Sequence, residues 1–172
     1  REALQVWAEE GMLLRSWRYA APLVQTLPDD QLQELAHGVT WWMEAAAKSI
    51  DCHEHLLLDL CQRVLALPLE AGPGSRIIGG NGAETDDPVG AALDHPIGHV
   101  TKALINFWFK RDPNDNDLLP AEIKPTLTSL CDVQIDRFRH GRVMLGLHLI
   151  AFFRVDRSWT EQYLLPLFNW SH

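Results

Sequence analysis

Cysteine is scarce in this chain, and the little there is does not pair. Cys52, Cys61 and Cys131 form no C-x-x-C spacing, and an odd number of thiols cannot be bridged completely. That usage predicts reduced thiols and a cytoplasmic setting, not a disulfide-stapled secreted domain. A cationic surplus is missing too. Lys and Arg number 15 against 23 Asp and Glu, for a formal net charge of −8, whereas a protein that tracks phosphates needs excess positive charge. The local exception is Arg137, Arg139, Arg142, Arg154 and Arg157, a basic cluster that supports a minor nucleic-acid reading. No cationic-then-apolar leader pattern occurs, and no apolar run reaches the roughly 18 residues of a membrane span. No stretch alternates apolar and polar residues long enough to specify a half-buried strand. The fold class left standing is all-α.

What is present is an ordinary globular balance, 47% apolar and 22% charged, which argues against disorder and for one packed domain over residues 1–172. Seven tryptophans (Trp7, Trp17, Trp41, Trp42, Trp108, Trp159 and Trp170) are spread along the chain. That placement suits contacts between packed helices, with some at partner surfaces. The sequence also opens inside a helical pattern without an initiator Met, as expected of a piece of a longer protein.

The helical segments follow from periodicity and punctuation. Residues 2–20 read as one helix, or two joined near Gly11, with Pro22 limiting its continuation and a short turn over Leu23–Leu27. Pro28 opens a helix over 29–49 whose face is Leu32, Leu35, Ala36, Val39, Trp42, Met43, Ala46 and Ala47, with Asp29 and Asp30 at its positive end. After a short break near Asp51 a second helix carries Leu56, Leu57, Leu60, Cys61, Val64 and Leu65. The two are expected to pair as an antiparallel hairpin, ended by Pro68. Residues 69–95 hold six of the eleven glycines and lose helical period. They read as one long Gly-rich loop with a short helical turn over Val89–Leu93.

Order resumes at Asp94–Asp112. There Pro96 suits the first helical turn and Asp94 or His95 can cap it. Ile97, Val100, Ala103, Leu104, Phe107 and Trp108 form an apolar face, and Lys110 and Arg111 complement the negative end. A polar loop leads to Pro120, which restarts a helix to about Val133 that Pro125 limits or bends. The segment 134–154 reads as a central, buried helix, since its C-terminal half is apolar nearly all round. Ser158 with Glu161 fits a capping box for the last helix. Leu27-Pro28-Asp29-Asp30 is echoed by Leu119-Pro120-Ala121-Glu122, which fits stacked helix hairpins arranged as a bundle or a short α-solenoid.

Chemistry-bearing constellations are sparse. The glycines between Gly72 and Gly82 match no phosphate-binding loop, and Glu84, Asp86 and Asp87 would repel an anion. Asp112, Asn114, Asn116 and Asp117 begin like a calcium loop, but Asp117 and Ile123 stand where the turn glycine and the bidentate glutamate belong. Turn chemistry accounts for the segment. His95 and His99 are spaced to share a helical face, yet two imidazoles do not close a zinc site. With Asp86 or Asp87 they are the candidate site residues of an alternative reading, a small metal-dependent hydrolase-type domain built on the 69–95 loop. Cys52, His53, His55 and Cys61 form a loose cluster whose members point apart, and Cys131 sits on an apolar face as an inert thiol. Trp41-Trp42 is the candidate interface: helical neighbours point about 100° apart, so Trp42 can be core while Trp41 lies at its edge.

At His95-Pro96-Ile97-Gly98, continuing through Thr101, Ala103 and Leu104, and again at Trp159 with Leu164, Leu165, Pro166, Leu167, Phe168 and Trp170, the chain resembles a known family. It is a family of helical domains of uncharacterised function found toward the C-terminus of large bacterial sirtuin-like proteins. The resemblance covers about residues 75–170 and carries caps and core positions but no catalytic signature. It implies a link to phage defence, in which a separate sirtuin-like domain of the parent cleaves NAD and the helical part senses or scaffolds.

The resulting expectation is a non-catalytic interaction, sensing or scaffolding module of a larger cytoplasmic bacterial protein. It acts on other domains of its parent or on a protein partner, without membrane, cofactor or bound metal, and with no residue assigned a catalytic role.

Overall fold

The computed structural model describes residues 12–70, 76–78 and 84–169. The helix expected over residues 2–20 lies outside these as far as Gly11, as do Trp7 and Trp170. The fold is all-α, with one minor addition described below. The chain divides into two compact units, Arg1–Leu69 with His99–Asp112, and Glu70–Gly98 with Pro113–His172.

In the first unit, α1 (Leu13–Gln25), α2 (Asp29–Ala46) and α3 (Glu54–Ala66) are joined by the larger part of α5 (Pro96–Phe109). Helix α1 runs through Pro22, where the sequence predicted a limit. Proline removes one backbone bond, to the carbonyl four residues earlier, but here Arg18 and Pro22 both lie on the exposed side, where water can satisfy that carbonyl. The opposite side buries Trp17, Ala20, Ala21 and Val24. Trp17 and Trp42 are fully buried with ring centroids 4.9 Å apart. Each indole N–H is satisfied, Trp17 donating to the Cys52 carbonyl at 3.2 Å and Trp42 to the Ser16 hydroxyl at 3.1 Å. These bonds remove the cost of burying a polar nitrogen with the ring.

Helix α2 ends at Ala46, three residues short of the expected boundary, but its predicted face is the buried one, apart from the half-buried Leu35. Helices α2 and α3 form the expected antiparallel hairpin. Arg63, near the end of α3, donates to the Gln25 and Leu27 carbonyls at 2.6 and 2.8 Å and to Asp29 Oδ1 at 2.5 Å, at the start of α2. One guanidinium thereby fixes the α1–α2 connection and answers the acidic first turn.

Helix α5 is the most completely buried: no residue from Pro96 to Trp108 is exposed. The sequence had placed that property at 134–154, and the structure corrects it. Apolar residues cover only part of the α5 circumference. The remainder is buried polar, notably His99 and Thr101.

In the second unit the Gly-rich stretch is less irregular than its composition predicted. β1 (Arg76–Ile78) pairs antiparallel with β2 (Glu84–Asp86) in the register Arg76↔Asp86, Ile77↔Thr85, Ile78↔Glu84. Three-residue strands leave no room for a sustained alternation, so no period was visible. α4 (Pro88–Asp94) follows. Its N-cap is Asp87, whose Oδ1 accepts the Gly90 N–H at 2.8 Å, and it packs chiefly on α7 (Arg139–Leu147). Where α4 ends, the Ala92 carbonyl oxygen lies so close to Gly98 that a β-carbon there would sit 1.6 Å from it. Only glycine allows this approach.

α6 (Lys124–Leu130) starts four residues later and ends earlier than expected, because Pro120 initiates a turn and Pro125 falls in the first helical turn, where its missing N–H costs nothing. The echo between Pro28 and Pro120 is therefore not a structural repeat. The expected 134–154 helix is broken into a 3₁₀ turn (Asp136–Phe138), α7, and α8 (Leu149–Val155). At the break the His148 ring, 2.9 Å from the Met144 carbonyl, takes the place of its own backbone N–H, which bonds instead to Leu145 at 3.0 Å. This segment is buried on one side and not all round: Met144, Leu145, Phe152 and Val155 are core, whereas Leu147 is 54% and Ile150 77% exposed.

The last helix begins as α9 (Arg157–Trp159), widens into a π turn (Thr160–Leu164) and tightens into 3₁₀ (Leu165–Phe168). Pro166 has no N–H for the Gln162 carbonyl, so regular α winding cannot pass through it. Its cap is Asp156, whose Oδ1 accepts the Trp159 N–H at 3.1 Å, and not Ser158.

Candidate functional site

The sequence-predicted site residues separate into different environments. His95 precedes α5. Its Nδ1 accepts the Ile97 N–H at 3.1 Å, so the ring caps the helix as expected, and Nε2 donates to the Glu70 carbonyl at 2.9 Å. The ring stacks on buried His140 with centroids 4.0 Å apart and planes 12° off parallel. Both ring nitrogens of His95 thus have structural duties. Asp87 is spent on the α4 cap, and Asp86 lies in β2.

His99 is different. It is buried on α5, and its Nδ1 lies 2.6 Å from Glu44 Oε2 on α2. The other Glu44 oxygen receives Lys102 at 2.5 Å, and the Glu44 backbone carbonyl receives the Asn106 amide at 3.2 Å. Burial alone would raise the Glu44 carboxyl, but hydrogen bonds from His99 and Lys102, with the Lys102 charge, outweigh it and hold the group below its ordinary range. His37, on α2, meets His99 edge-on with ring centroids 5.4 Å apart. His99 Nε2 is buried with no hydrogen-bond partner among the described residues. Among the described residues no group of three metal-capable side chains forms.

Cys61 and Cys131 are buried as expected of core thiols, whereas Cys52 is half-buried and not core. Burial pushes the Cys61 thiol far up and the Cys131 thiol up to about 11, which removes thiolate character at neutral pH. The false calcium loop is a turn. Asp117 Oδ2 accepts the Asn114 N–H at 2.7 Å, and the segment is tied down by Asn116 donating to the Arg154 carbonyl and Leu118 to the Val155 carbonyl.

Asp156 anchors the second unit. It is 1% exposed. Its Oδ2 accepts the Leu119 N–H at 3.2 Å and Lys124 Nζ at 2.7 Å, in addition to the cap on Trp159. Burial again opposes ionisation, but Lys124 and the two backbone donors prevail and lower the carboxyl below its usual value. No sequence motif marked this residue. Two of its partners, Leu119 and Lys124, stand more than thirty positions away in the chain.

The predicted basic cluster is largely neutralised. Arg154 pairs with Asp115 at 2.8 Å, Arg157 with Glu161 at 2.7 Å and Arg139 with Asp136 at 3.3 Å. Arg142 instead donates to the Asp132 and Ile135 carbonyls.

Several surfaces of the described residues present apolar area, among them the exposed side of α1 with Leu14, Tyr19 and Leu23. On α2, Trp42 is core while Trp41 is 38% exposed, the division its spacing predicted. In the second unit a cavity of about 480 Å³ is lined by Val133, Val143, Leu147, Leu167 and Phe168, with Arg139 and Arg142 at its edge. Gly146 keeps it open to the Phe168 ring, which a β-carbon would meet at 3.2 Å. Among the described residues no helix is long and apolar enough to cross a membrane. Comparison with models of protein families, with curated proteins and with solved structures finds no match for this chain.

Proposed function

We propose that this chain is a non-catalytic helical interaction module of a larger bacterial protein, acting in the cytoplasm on other domains of that protein or on a protein partner. The observation that carries the reading is the apolar surface around the α7 cavity. Val133, Leu147 and Phe168 border it at 59, 54 and 50% exposure, and Ile150 on α8 is 77% exposed. Grouped large apolar side chains left in water mark a surface built to be covered, since each returns about 1.5–3 kcal/mol on burial. Arg139, which is paired with Asp136, and Arg142 also line the cavity and supply polar groups of the kind that rim such surfaces. Trp41 offers a second contact point. Resemblance to the helical domains of sirtuin-like phage-defence proteins supports a scaffolding or sensing role beside an NAD-cleaving domain.

The test is to titrate the chain with the remainder of its parent protein, using wild type and Leu147→Asp/Ile150→Asp. Association at micromolar concentration that the double variant weakens at least about tenfold, the equivalent of one anchor side chain, supports the proposal. Absence of binding at high micromolar concentration, with parent activity unchanged on deletion of the module, overturns it.

A further inference from the structure

We propose that His37 and His99 form an open two-imidazole site for a divalent transition-metal ion such as Zn²⁺ or Cu²⁺, with Glu44 as its positioning residue. Three observations meet here. First, the Glu44 carboxylate accepts Nδ1–H of His99 at 2.6 Å. With that proton on Nδ1, the lone pair lies on Nε2, the arrangement in which metal-binding imidazoles are held by a carboxylate behind them. Second, that Nε2 is inaccessible to water and lacks a protein donor among the described residues. A buried acceptor of this kind destabilises the fold if nothing answers it, and a cation answers it. Third, the His37 ring stands with its centroid 5.4 Å from that of His99 and nearly perpendicular to it. Two imidazoles on one tetrahedral ion, each with nitrogen about 2 Å from the metal, bring their centroids to about 5 Å apart.

The surroundings are consistent with an open site instead of a closed one. Both Glu44 oxygens are already engaged, one by His99 and one by Lys102, so the carboxylate orients and does not ligate. His37 is exposed while His99 Nε2 is buried, so an ion would be reached from the His37 side. Imidazole donors without thiolate favour Cu²⁺, Ni²⁺ and Zn²⁺ over Mg²⁺ or Ca²⁺. His99 is the residue that the sequence singled out for metal, but its companions come from α2 and not from His95 or the Gly-rich stretch.

The experiment is calorimetric titration of the full chain with ZnCl₂ and CuCl₂, with electron paramagnetic resonance of the copper complex. The expected result is one ion per chain and nitrogen coupling from two imidazoles. His37→Ala and His99→Ala each weaken binding at least about tenfold, and Glu44→Gln weakens it by roughly ten- to hundredfold. His37→Ala also serves if His99→Ala fails to fold, since the His37 side chain is exposed. The other close pair, His53 and His55, has centroids 6.1 Å apart, and His53→Ala/His55→Ala leaves binding unchanged. No stoichiometric binding by wild type, unchanged affinity in His37→Ala or Glu44→Gln, or loss in the His53/His55 variant would each overturn the assignment.

Discussion

His99 Nδ1 and Glu44 Oε2 lie 2.6 Å apart across α5 and α2, although 55 residues separate them in sequence. The contact ties the two helices through a carboxylate only 12% exposed. Removing one member strands the other inside the fold. Glu44→Ala is expected to destabilise by about 3 kcal/mol, measured by urea unfolding. A cost below about 0.5 kcal/mol, the range of surface pairs, would show that the contact is not maintained.

The same bond sets an acid limit to stability. Glu44 and Asp156 are both held below their ordinary values of 4.5 and 3.8. A carboxyl depressed by folding contributes stability that is fully present above its unfolded value and is lost as pH falls through its folded one. Unfolding free energy should therefore be level from neutral pH to about pH 5 and fall steeply below about pH 4. Glu44→Gln should flatten that acid limb relative to wild type. Parallel acid limbs in wild type and variant contradict the assignment.

Gly98 tests the packing of α4 on the start of α5. A β-carbon 1.6 Å from the Ala92 oxygen forces the backbones apart, so Gly98→Ala should cost about 3 kcal/mol or more despite its better helix propensity. A neutral or stabilising effect by thermal denaturation would refute the close approach.

Leu118 predicts the opposite sign. Its φ of 67° places a branched side chain in the left-handed region, and it is 58% exposed. Leu118→Gly removes strain of about 1–2 kcal/mol while losing little packing. Part of that gain is offset by the greater freedom of glycine in the unfolded chain. A net stabilisation of about 1 kcal/mol is expected, and a loss of stability would mean that the exposed side chain packs in a way its burial does not reveal.

The legible parts of this fold were those written locally. α2 was readable because Pro28, Asp29 and Asp30 mark its start and one apolar face repeats along it. α5 was readable for the same reasons, and His95 announced its own capping role. Tertiary facts were not readable. The sequence pointed to Ser158 as a cap because the capping box is a local pattern, whereas Asp156 wins through Lys124 and Leu119, which lie far along the chain. The 134–154 segment looked buried all round because its residues are apolar, but apolar composition cannot tell which of them stay exposed, as Leu147 and Ile150 do. His99 was singled out by its spacing from His95, and the residues that engage it, Glu44 and His37, lie on another helix. The split of Trp41 from Trp42 was legible, since helical geometry alone dictates it.

The apolar surface at Val133, Leu147 and Phe168, with the exposed Ile150 of α8, is the proposed interaction face. Isothermal titration of the chain with the rest of its parent protein, wild type against Leu147→Asp/Ile150→Asp, tests it most directly. Wild type is expected to bind at micromolar concentration and the double variant to lose at least about tenfold, with both proteins showing the same helical circular dichroism and unfolding midpoint. Equal affinity of the two proteins, or no binding by wild type at high micromolar concentration, would contradict it.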